Sequence, residues 1–274
     1  MDRDADAAGR AARWLREARE VVVFTGAGAS AESGIPTFRD DDGLWRTFPP
    51  DEFANWASLL RMAAARPARA AEFVCAVLQP IAAARPNPGH VAIAAMERLA
   101  RVTVVTQNID GLHQEAGSTR VFEVHGSLLE IVAPRGRVLR RLSRDDLRTI
   151  AAKLDRARRG PFVRLRVLAA VRPMAGVRPS GVYRPNVVLF GDAMAEPAWS
   201  HALEACRRCD LMIQVGCSGA VWPAATLPEV AQSAGARVIA VDPSESPADL
   251  WLRGTAGEVL PEIVRHASSN REDA

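Results

Sequence analysis

The sequence is poor in cysteine and contains no long apolar run. Four cysteines among 274 residues are too few for a disulfide-stapled scaffold. No run approaches the ~18 apolar residues of a membrane span, and the charged start MDRDADAAGRAARW lacks the apolar core of a signal peptide. These absences predict a soluble cytoplasmic protein with no membrane partner.

Lysine is also scarce, and the basic residues are almost all arginine, which we attribute to genomic composition. The net charge of the chain is only +3, but its distribution is uneven. Residues 135–184 include about fifteen basic residues and three acidic ones. A solvated helix face is the simpler interpretation, and an acidic partner or an acidic-flanked substrate is the alternative. Nucleic acid is disfavoured, because no aromatic residues alternate with the cations to stack on bases.

Short apolar runs recur along the chain and are near-continuous rather than alternating, as in strands buried on both faces of a parallel sheet. Helical patterns separate most of them, which predicts an α/β fold with a doubly wound, Rossmann-like parallel sheet. The predicted strands are Val21–Thr25, Val102–Thr106, Val121–Val124, Val187–Phe190, Leu211–Gly216 and Val238–Val241. The predicted helices are Ala8–Glu20, His90–Arg101, Pro197–Arg208, Ala224–Ala234 and Gly257–His266.

Two insertions interrupt this alternation and predict a smaller, mostly helical lobe. Residues 41–86 have helical patterns at Glu52–Ala65 and Ala68–Leu78, and residues 128–183 have one at Arg144–Arg159. The expected Rossmann-like domain then comprises residues 1–40, 87–127 and 184–267, and residues 268–274 form a flexible tail.

A glycine-rich turn, Gly26-Ala27-Gly28-Ala29-Ser30-Ala31, follows the first predicted strand. Such a turn lets the backbone approach a pyrophosphate closely, although a tight strand–helix turn without a ligand has the same pattern. A dehydrogenase would place an acidic residue about 20 positions later, at the end of a second strand. Residues 45–50 read WRTFPP and form no strand, so simple hydride transfer is disfavoured.

Polar residues follow two further predicted strands, where ligands bind in open α/β sheets. Asn108 and Asp110 could complement a carboxamide such as that of nicotinamide, or could form an ordinary turn. His125 ends the strand Val121–Val124 and suits a general base, although a lone histidine is more often structural.

The run GAGASAESGIPTFR resembles the signature of the sirtuins, the NAD-dependent protein deacylases. Further blocks resemble the family in the same order: TQNID at 106–110, VHGS at 124–127, RPNVVLFGD at 184–192 and GCS at 216–218. The resemblance spans most of the chain. His90 and His113 lie in PNPGH and DGLHQEAG, which resemble the family's framework.

The resemblance implies an NAD-dependent lysine deacylase that consumes NAD and releases nicotinamide and O-acyl-ADP-ribose, with an acyl-lysine protein or peptide as partner. It implies catalytic roles for His125 and Asn108. It implies cofactor contacts from Gly26, Ala27, Gly28, Glu32, Ile35, Pro36, Thr37, Phe38, Arg39, Gln107, Asn108, Ile109, Asp110, His125, Gly216, Cys217, Ser218, Asp242 and Ala256. Cys217 and Asp242 stand where the family usually has Thr and Asn. A sirtuin-like NAD hydrolase or mono-ADP-ribosyltransferase is the alternative, and a non-catalytic NAD-sensing module is disfavoured because Asn108, Asp110 and His125 all remain.

The sequence departs from the family at its zinc site. The places of the four zinc cysteines hold Ala133, Gly136, Gly176 and Pro179, none of which binds zinc through its side chain. We expect a lobe folded without metal and packed through residues 144–159 and 162–171. Cys206-x-x-Cys209 offers two ligands only, and buried small hydrophobes are the better interpretation.

The acyl group is predicted from one more departure. Thr37 and the run SAESG resemble the branch of the family that takes acidic acyl groups, and that branch binds the acyl carboxylate with a Tyr and an Arg three residues apart. Val74 and Val77 occupy those places. An apolar pocket would leave a carboxylate unpaired, so we expect an acetyl or longer aliphatic group instead.

Overall fold

The computed structural model describes residues 2–37, 43–179 and 181–269. By its internal contacts the chain divides into two compact units. Unit 1 consists of Met1–Ser33, Arg85–Val124 and Glu196–Ala274, and unit 2 consists of Gly34–Ala84 and His125–Ala195. None of the helices among the described residues is both long enough and apolar enough to cross a membrane.

Ten strands and thirteen helices are numbered in chain order over the described residues. The strands are β1 (Glu20–Thr25), β2 (Arg101–Thr106), β3 (Val121–Glu123), β4 (Gly126–Val132), β5 (Val138–Arg141), β6 (Gly176–Arg178), β7 (Gly181–Val187), β8 (Leu211–Val215), β9 (Arg237–Val241) and β10 (Leu250–Leu252). The helices are α1 (Asp2–Glu17), α2 (Gly28–Ala31), α3 (Leu44–Thr47), α4 (Pro50–Phe53), α5 (Trp56–Ala65), α6 (Pro67–Ala83), α7 (Pro88–Met96), α8 (Leu112–Glu115), α9 (Arg144–Ala157), α10 (Val163–Val171), α11 (Ala198–Arg208), α12 (Leu227–Ser233) and α13 (Ala256–Ser269).

Unit 1 contains a six-stranded parallel sheet in the order β10-β9-β8-β1-β2-β3. β1 lies in the middle and pairs with β2 and β8. Five of the six predicted strands occur here, each within one residue of the predicted bounds, because apolar runs of this length fit strands covered on both faces. The short edge strand β10 was not predicted.

Helices cover both faces of this sheet, as the prediction of a doubly wound fold requires. On one face α1, α7 and α13 bury Leu15, Ile93 and Leu260 against Val21 and Val104. On the other face α11 contacts β1 and β3, and α12 contacts β8 and β9. Burial of each such aliphatic side chain stabilises the fold by about 1.5–3 kcal/mol.

Unit 2 is mostly helical, as expected, and it also contains a four-stranded sheet in the order β5-β4-β7-β6. The prediction that Val187–Phe190 forms a strand of the parallel sheet was wrong. β7 ends at Val187 and pairs in antiparallel fashion with β4 and β6. An apolar run indicates a strand but not its partner, and pairing across more than fifty residues leaves no local signal.

Two further expectations about packing and chain ends were partly wrong. Within residues 162–171, α10 buries Val167 and Ala170, whereas its larger apolar side chains are exposed. Helix α13 extends through Ser269, so the helix continues past residue 268, where we expected the tail to begin. Residues 270–274 lie outside the described part of the chain.

Candidate active site

Two glycine turns meet at the carboxyl ends of β1 and β8. The N–H of Gly26 donates to the carbonyl of Val215 (3.0 Å), and the N–H of Gly28 donates to that of Gly216 (3.1 Å). A Cβ on Gly28 would lie 2.7 Å from the Gly216 Cα, and Gly216 has a φ of +58°. Both positions therefore require glycine, one for the close approach and the other also for its backbone conformation.

Asn108, Ser30 and Asp110 form a hydrogen-bonded cluster behind the first turn. The Nδ2 of Asn108 donates to the Gly26 carbonyl (2.9 Å) and to Ser30 Oγ (3.0 Å), and Ser30 Oγ donates to Asp110 Oδ2 (2.7 Å). Because a carbonyl can only accept, these bonds fix the orientation of the Asn108 amide. Asp110 Oδ1 also accepts from the N–H of Leu112 (2.9 Å). The cluster links the residues after β2 to the turn after β1.

Ser30 was absent from the predicted site, yet it joins the two predicted residues of this cluster. It is buried on the short helix α2, directly after the glycine turn. Its place in the GAGAS run was a signal, but only the fold reveals that its hydroxyl contacts Asn108 and Asp110.

A second buried hydrogen-bond network contains Thr25 and Thr106, the last residues of β1 and β2. Thr25 Oγ1 donates to Thr106 Oγ1 (2.8 Å) and lies 3.0 Å from His113 Nε2. Burial, with a smaller contribution from the neighbouring His90, lowers the pKa of His113 to about 3. His113 is therefore neutral across the physiological range and cannot serve as an acid–base group there.

Cys217 follows Gly216 and is buried beneath the second turn. Its thiol donates to the Val215 carbonyl (3.4 Å), and Gln107 Nε2 lies 3.7 Å from the sulfur. Burial raises the pKa of the Cys217 thiol well above its usual range. A neutral, enclosed thiol is a poor nucleophile, so Cys217 is part of the wall of the site. Ser218, the next residue, is exposed.

Three predicted cofactor residues lie near the ends of β9 and α13. Asp242 follows β9, and its Oδ1 accepts from the N–H of Ser244 (2.9 Å). The carboxylate of Glu32 accepts from Thr255 Oγ1 (2.9 Å) and from the N–H of Gly257 (2.7 Å), in the first turn of α13. Ala256 is the buried first residue of that helix. Glu32 thus stabilises a helix N-terminus, a bond that the sequence did not indicate.

The unit 1 residues of the predicted site share one edge of the sheet. Strands β1, β2, β8 and β9 are parallel, so the residues that follow them all lie at the carboxyl edge. The fold brings together there the turn at 26–30, the residues 107–110, the turn at 216–218 and Asp242.

The other predicted site residues belong to unit 2. His125 is half-buried, and its carbonyl accepts from the N–H of Val188 (2.9 Å). The next residue, Gly126, has a φ of +74° and leaves no space for a Cβ beside the Asn186 carbonyl. Ile35 and Thr37 are half-buried and Pro36 is exposed. Phe38 and Arg39 lie outside the described residues.

An aromatic cluster of unit 2 contacts Val74 and Val77, the two residues on which the predicted acyl specificity depends. Phe48, Phe53 and Phe73 pack edge-on or tilted at centroid distances of 4.8–5.4 Å. Val74 and Val77 on α6 pack against this cluster. Arg69 lies over Phe48 and is paired with Glu72 at 2.9 Å.

The residues at the places of the family's zinc ligands do not fit a metal. A Cβ on Gly176 would lie 2.6 Å from the Tyr183 hydroxyl, so the ring occupies the space that a cysteine would need. Gly181, two residues after Pro179, is also close-packed, since a Cβ there would lie 2.7 Å from the ring of Pro134, the neighbour of Ala133. In residues 2–37, 43–179 and 181–269, no group of three or more His, Cys, Asp or Glu side chains could hold a metal ion. Side-chain packing occupies this part of unit 2.

Cys206 and Cys209, at the end of α11, behave as buried apolar residues. Burial raises the pKa of Cys206 to about 12 and that of Cys209 to about 11. Both thiols are free and protonated at neutral pH. This agrees with the interpretation of the C-x-x-C pair as small hydrophobes.

The chain is similar to proteins of known sequence and structure over nearly its whole length. The Sir2 family model matches residues 26–223. NAD-dependent protein deacylase 2 of Archaeoglobus fulgidus is 38% identical over 269 residues, covering 96% of this chain and 97% of the relative. NAD-dependent protein deacylase 1 of Pseudomonas aeruginosa is 40% identical over 259 residues, covering 92% and 96%.

Two solved structures are similar in fold as well. A Sir2 homologue variant in complex with ADP-ribose has a TM-score of 0.77 and 32% identity, covering 96% of this chain and 97% of its own. A Sir2 protein bound to a myristoylated histone peptide has a TM-score of 0.71 and 31% identity, covering both chains completely. With the glycine turns, the Asn108 cluster and this similarity together, the chain belongs to the Sir2 family.

Proposed function

We propose that this protein is an NAD-dependent protein-lysine deacylase that releases nicotinamide and O-acyl-ADP-ribose. The observation that carries the proposal is the cluster of Asn108, Ser30 and Asp110, which is hydrogen-bonded to the glycine turn at the carboxyl edge of the sheet. Relatives that are 34–40% identical over most of the chain are named NAD-dependent protein deacylases, which supports the same activity.

Unit 1 would hold NAD along the carboxyl edge of its sheet. Within the described residues the N–H of Ala27 donates to no protein atom, whereas those of Gly26 and Gly28 do, so it can donate to a pyrophosphate oxygen. Gly216, Cys217 and Ser218 would line the same edge. Asp242 would accept from hydroxyls of the adenosine ribose. Ala256 would lie at the adenine, whereas Glu32 would act by holding the start of α13.

The nicotinamide end would be held in unit 1 by Gln107, Asn108, Ile109 and Asp110. The family resemblance also assigns Ile35, Pro36, Thr37, Phe38 and Arg39 to NAD. NAD supplies an electrophilic C1′ and a nicotinamide leaving group. Both N–H groups of the Asn108 amide are engaged, and within the described residues nothing donates to its Oδ1. That oxygen is held in one place by the cluster, as positioning of a bound substrate requires.

His125 would act as the general base that takes a proton from a ribose hydroxyl. It follows Val124, whose N–H donates to the carbonyl of Thr106 (3.0 Å). This bond ties the chain before His125 to the last residue of β2. An imidazole can accept a proton and later release it, as a general base requires.

The acyl group is proposed to be acetyl or a longer aliphatic chain. Val74 and Val77 lie against an aromatic cluster, and the guanidinium of Arg69 is paired with Glu72. An acyl carboxylate would find no unpaired cation on this stretch of α6, and its desolvation would go uncompensated. A related structure that holds a myristoylated peptide is consistent with aliphatic specificity.

One assay tests the proposal directly. The protein is incubated with NAD and an acetyl-lysine peptide, and nicotinamide release and the peptide mass are followed together. Peptide-dependent nicotinamide release with loss of the acetyl group is the expected result. Nicotinamide release without any acyl peptide would instead identify an NAD hydrolase, ADP-ribose added to a protein would identify a transferase, and no release would identify a binding module.

Two variants then test the assigned roles. Asn108→Ala should lower kcat/KM for deacylation about a hundredfold or more, since it removes a fixed polar group from the reacting end of the site. His125→Ala should abolish deacylation. The matched control is His266→Ala, an exposed histidine on α13, which should leave the rate unchanged. Deacylation that persists in His125→Ala would contradict the base assignment.

A further inference from the structure

Helix α10 presents its large apolar side chains to solvent. Phe162, Leu165 and Leu168 are 76%, 67% and 56% exposed, whereas Val167 and Ala170 are buried. Leu165 and Leu168 lie about one turn apart on the same side of the helix, and Phe162 is the residue directly before its first turn. Single exposed apolar residues are ordinary, but three large ones within seven consecutive residues form an apolar strip that calls for a partner.

Phe162 is not only exposed but also has a disfavoured backbone conformation. It has a φ of +58° and is the one residue other than glycine with a positive φ in the described ranges. A bulky L-residue is disfavoured in the left-handed region. Its ring gains little from burial within the unit, because most of it faces solvent. A phenylalanine at this position therefore contributes little to the stability of the chain by itself.

Cations surround this apolar strip. At about 100° per residue, Arg164 and Arg166 flank the strip on opposite sides, and Arg172 follows at its end. Arg166 also donates to the carbonyls of Arg156 (2.9 Å) and Arg159 (2.8 Å). These two bonds place the basic end of α9 beside the first turns of α10.

Little negative charge offsets these cations. Asp155 pairs with Arg158 at 2.7 Å and reaches Arg159 only at 3.9 Å. Over the described ranges, Arg156, Arg164 and Arg172 form no ion pair within 4.0 Å. We call the surface made by Phe162, Leu165, Leu168, Arg156, Arg159, Arg164, Arg166 and Arg172 the basic-apolar face.

We propose that the basic-apolar face binds an acidic amphipathic helix of a partner protein. Apolar anchors at helical spacing are what a helix lying in a groove or along another helix engages. Carboxylates beside the apolar stripe of such a helix would complement the arginines on both sides of the strip. The proposal is independent of the proposed deacylase activity, because it concerns only α9 and α10.

The same face fits other occupants less well. A nucleic acid could pair its phosphates with the arginines but would leave the exposed leucines between them without an apolar partner. A membrane-associated helix commonly has a longer apolar face than the two turns available here. These alternatives are outcomes of the test below.

The probe is a synthetic, fluorescein-labelled helical peptide with leucines at every third or fourth position and glutamates at most others. The control peptide has the same composition in scrambled order and therefore lacks the apolar stripe. Binding to the full chain is followed by fluorescence anisotropy. We expect the patterned peptide to bind about tenfold or more tightly than the scrambled one, and binding to weaken as salt is raised.

Two protein variants locate the site. The double variant Leu165→Glu with Leu168→Glu should weaken binding of the patterned peptide about tenfold or more. The matched control is Leu60→Glu on α5, an equally exposed leucine (67%) elsewhere in unit 2, which should bind as the wild type does. All of these positions are exposed, so far-UV circular dichroism should be unchanged.

Four outcomes would overturn the proposal. The patterned peptide fails to bind, the scrambled peptide binds equally, or the double variant binds like the wild type. In the fourth outcome the patterned peptide is not bound, and the wild-type protein instead binds vesicles of phosphatidylcholine and phosphatidylserine, binds duplex DNA or self-associates. The double variant loses that interaction, which would assign the face to the other occupant. Deacylation of a short acetylated peptide is measured in parallel and should be the same for all variants, which separates failure of this proposal from failure of the proposed activity.

Discussion

Replacing Tyr183 by phenylalanine tests whether side-chain packing stabilises unit 2 around Gly176, where the family resemblance implies a zinc ligand. Tyr183 is the single tyrosine of the chain, and it is buried. Its hydroxyl donates to the carbonyl of Arg172 (2.7 Å), and the guanidinium of Arg178 lies over its ring at 4.9 Å. The tyrosine thus links the β6–β7 hairpin to the end of α10.

The expected loss of stability follows from these contacts. Tyr183→Phe keeps the ring but removes the hydrogen bond to the Arg172 carbonyl, which is part-buried, at a cost of about 1–2 kcal/mol. For a chain of this size each kcal/mol lowers Tm by about 2–4 °C, so we expect a decrease of about 2–8 °C. Tyr183→Ala also removes the ring and should cost about 3–5 kcal/mol.

The measurement is thermal and urea unfolding by circular dichroism, with and without a chelator, accompanied by elemental analysis. Val182→Ala is the matched control, because it changes an exposed side chain of the same hairpin and should alter stability by less than about 0.5 kcal/mol. We expect no stoichiometric zinc and no change of Tm with chelator. A chelator-sensitive Tm, or a Tyr183→Phe variant as stable as Val182→Ala, would refute the reasoning.

Three further predictions concern protonation, thiols and substrate. The pKa of His113 is about 3 in the folded protein against 6.5 for the free side chain, so below about pH 6.5 the unfolded state takes up a proton and the folded state does not. The free energy of unfolding should therefore fall by about 2 kcal/mol between pH 7 and pH 5. A free energy of unfolding that falls just as steeply in the His113→Gln variant would contradict this. Because all four thiols are buried, iodoacetamide should leave the native protein unlabelled and add four labels in urea, counted by mass spectrometry, and labelling of native Cys217 would contradict its enclosed position. Acetyl- and longer aliphatic acyl-lysine peptides should be deacylated at least about tenfold faster than a succinyl-lysine peptide. Replacing Val74 by Tyr together with Val77 by Arg should reduce this ratio of rates. Equal rates for the wild-type protein would contradict the prediction of an apolar acyl pocket.

Much of unit 1 could be predicted from the sequence because its signals are local. β1, β2, β8 and β9 are runs of apolar residues that match strands covered on both faces, and their bounds agree within one residue. The glycines at 26, 28 and 216 follow these strands directly. Once the strands are parallel, the residues after them must share an edge, so the grouping of the turns with Asn108 and Asp110 was already implied.

Unit 2 was harder to predict because its organisation depends on long-range pairing. β4 and β7 are separated by about fifty residues, and their pairing leaves no mark in the composition of either strand. Val187 was therefore assigned to the wrong sheet. α10 shows the same limit for burial: its apolar residues indicate a helix, but its neighbours decide which of them are buried.

The sequence by itself determined the family resemblance, the strand–helix alternation of unit 1 and the absence of cysteine at positions 133, 136, 176 and 179, because each depends on residue identity or on short-range periodicity. Only the tertiary structure decided how those residues are used. It showed Ser30 between Asn108 and Asp110, Glu32 at the start of α13, and the ring of Tyr183 in the space beside Gly176. Each of these roles is a contact between residues far apart in sequence, and such contacts exist only after the chain has folded.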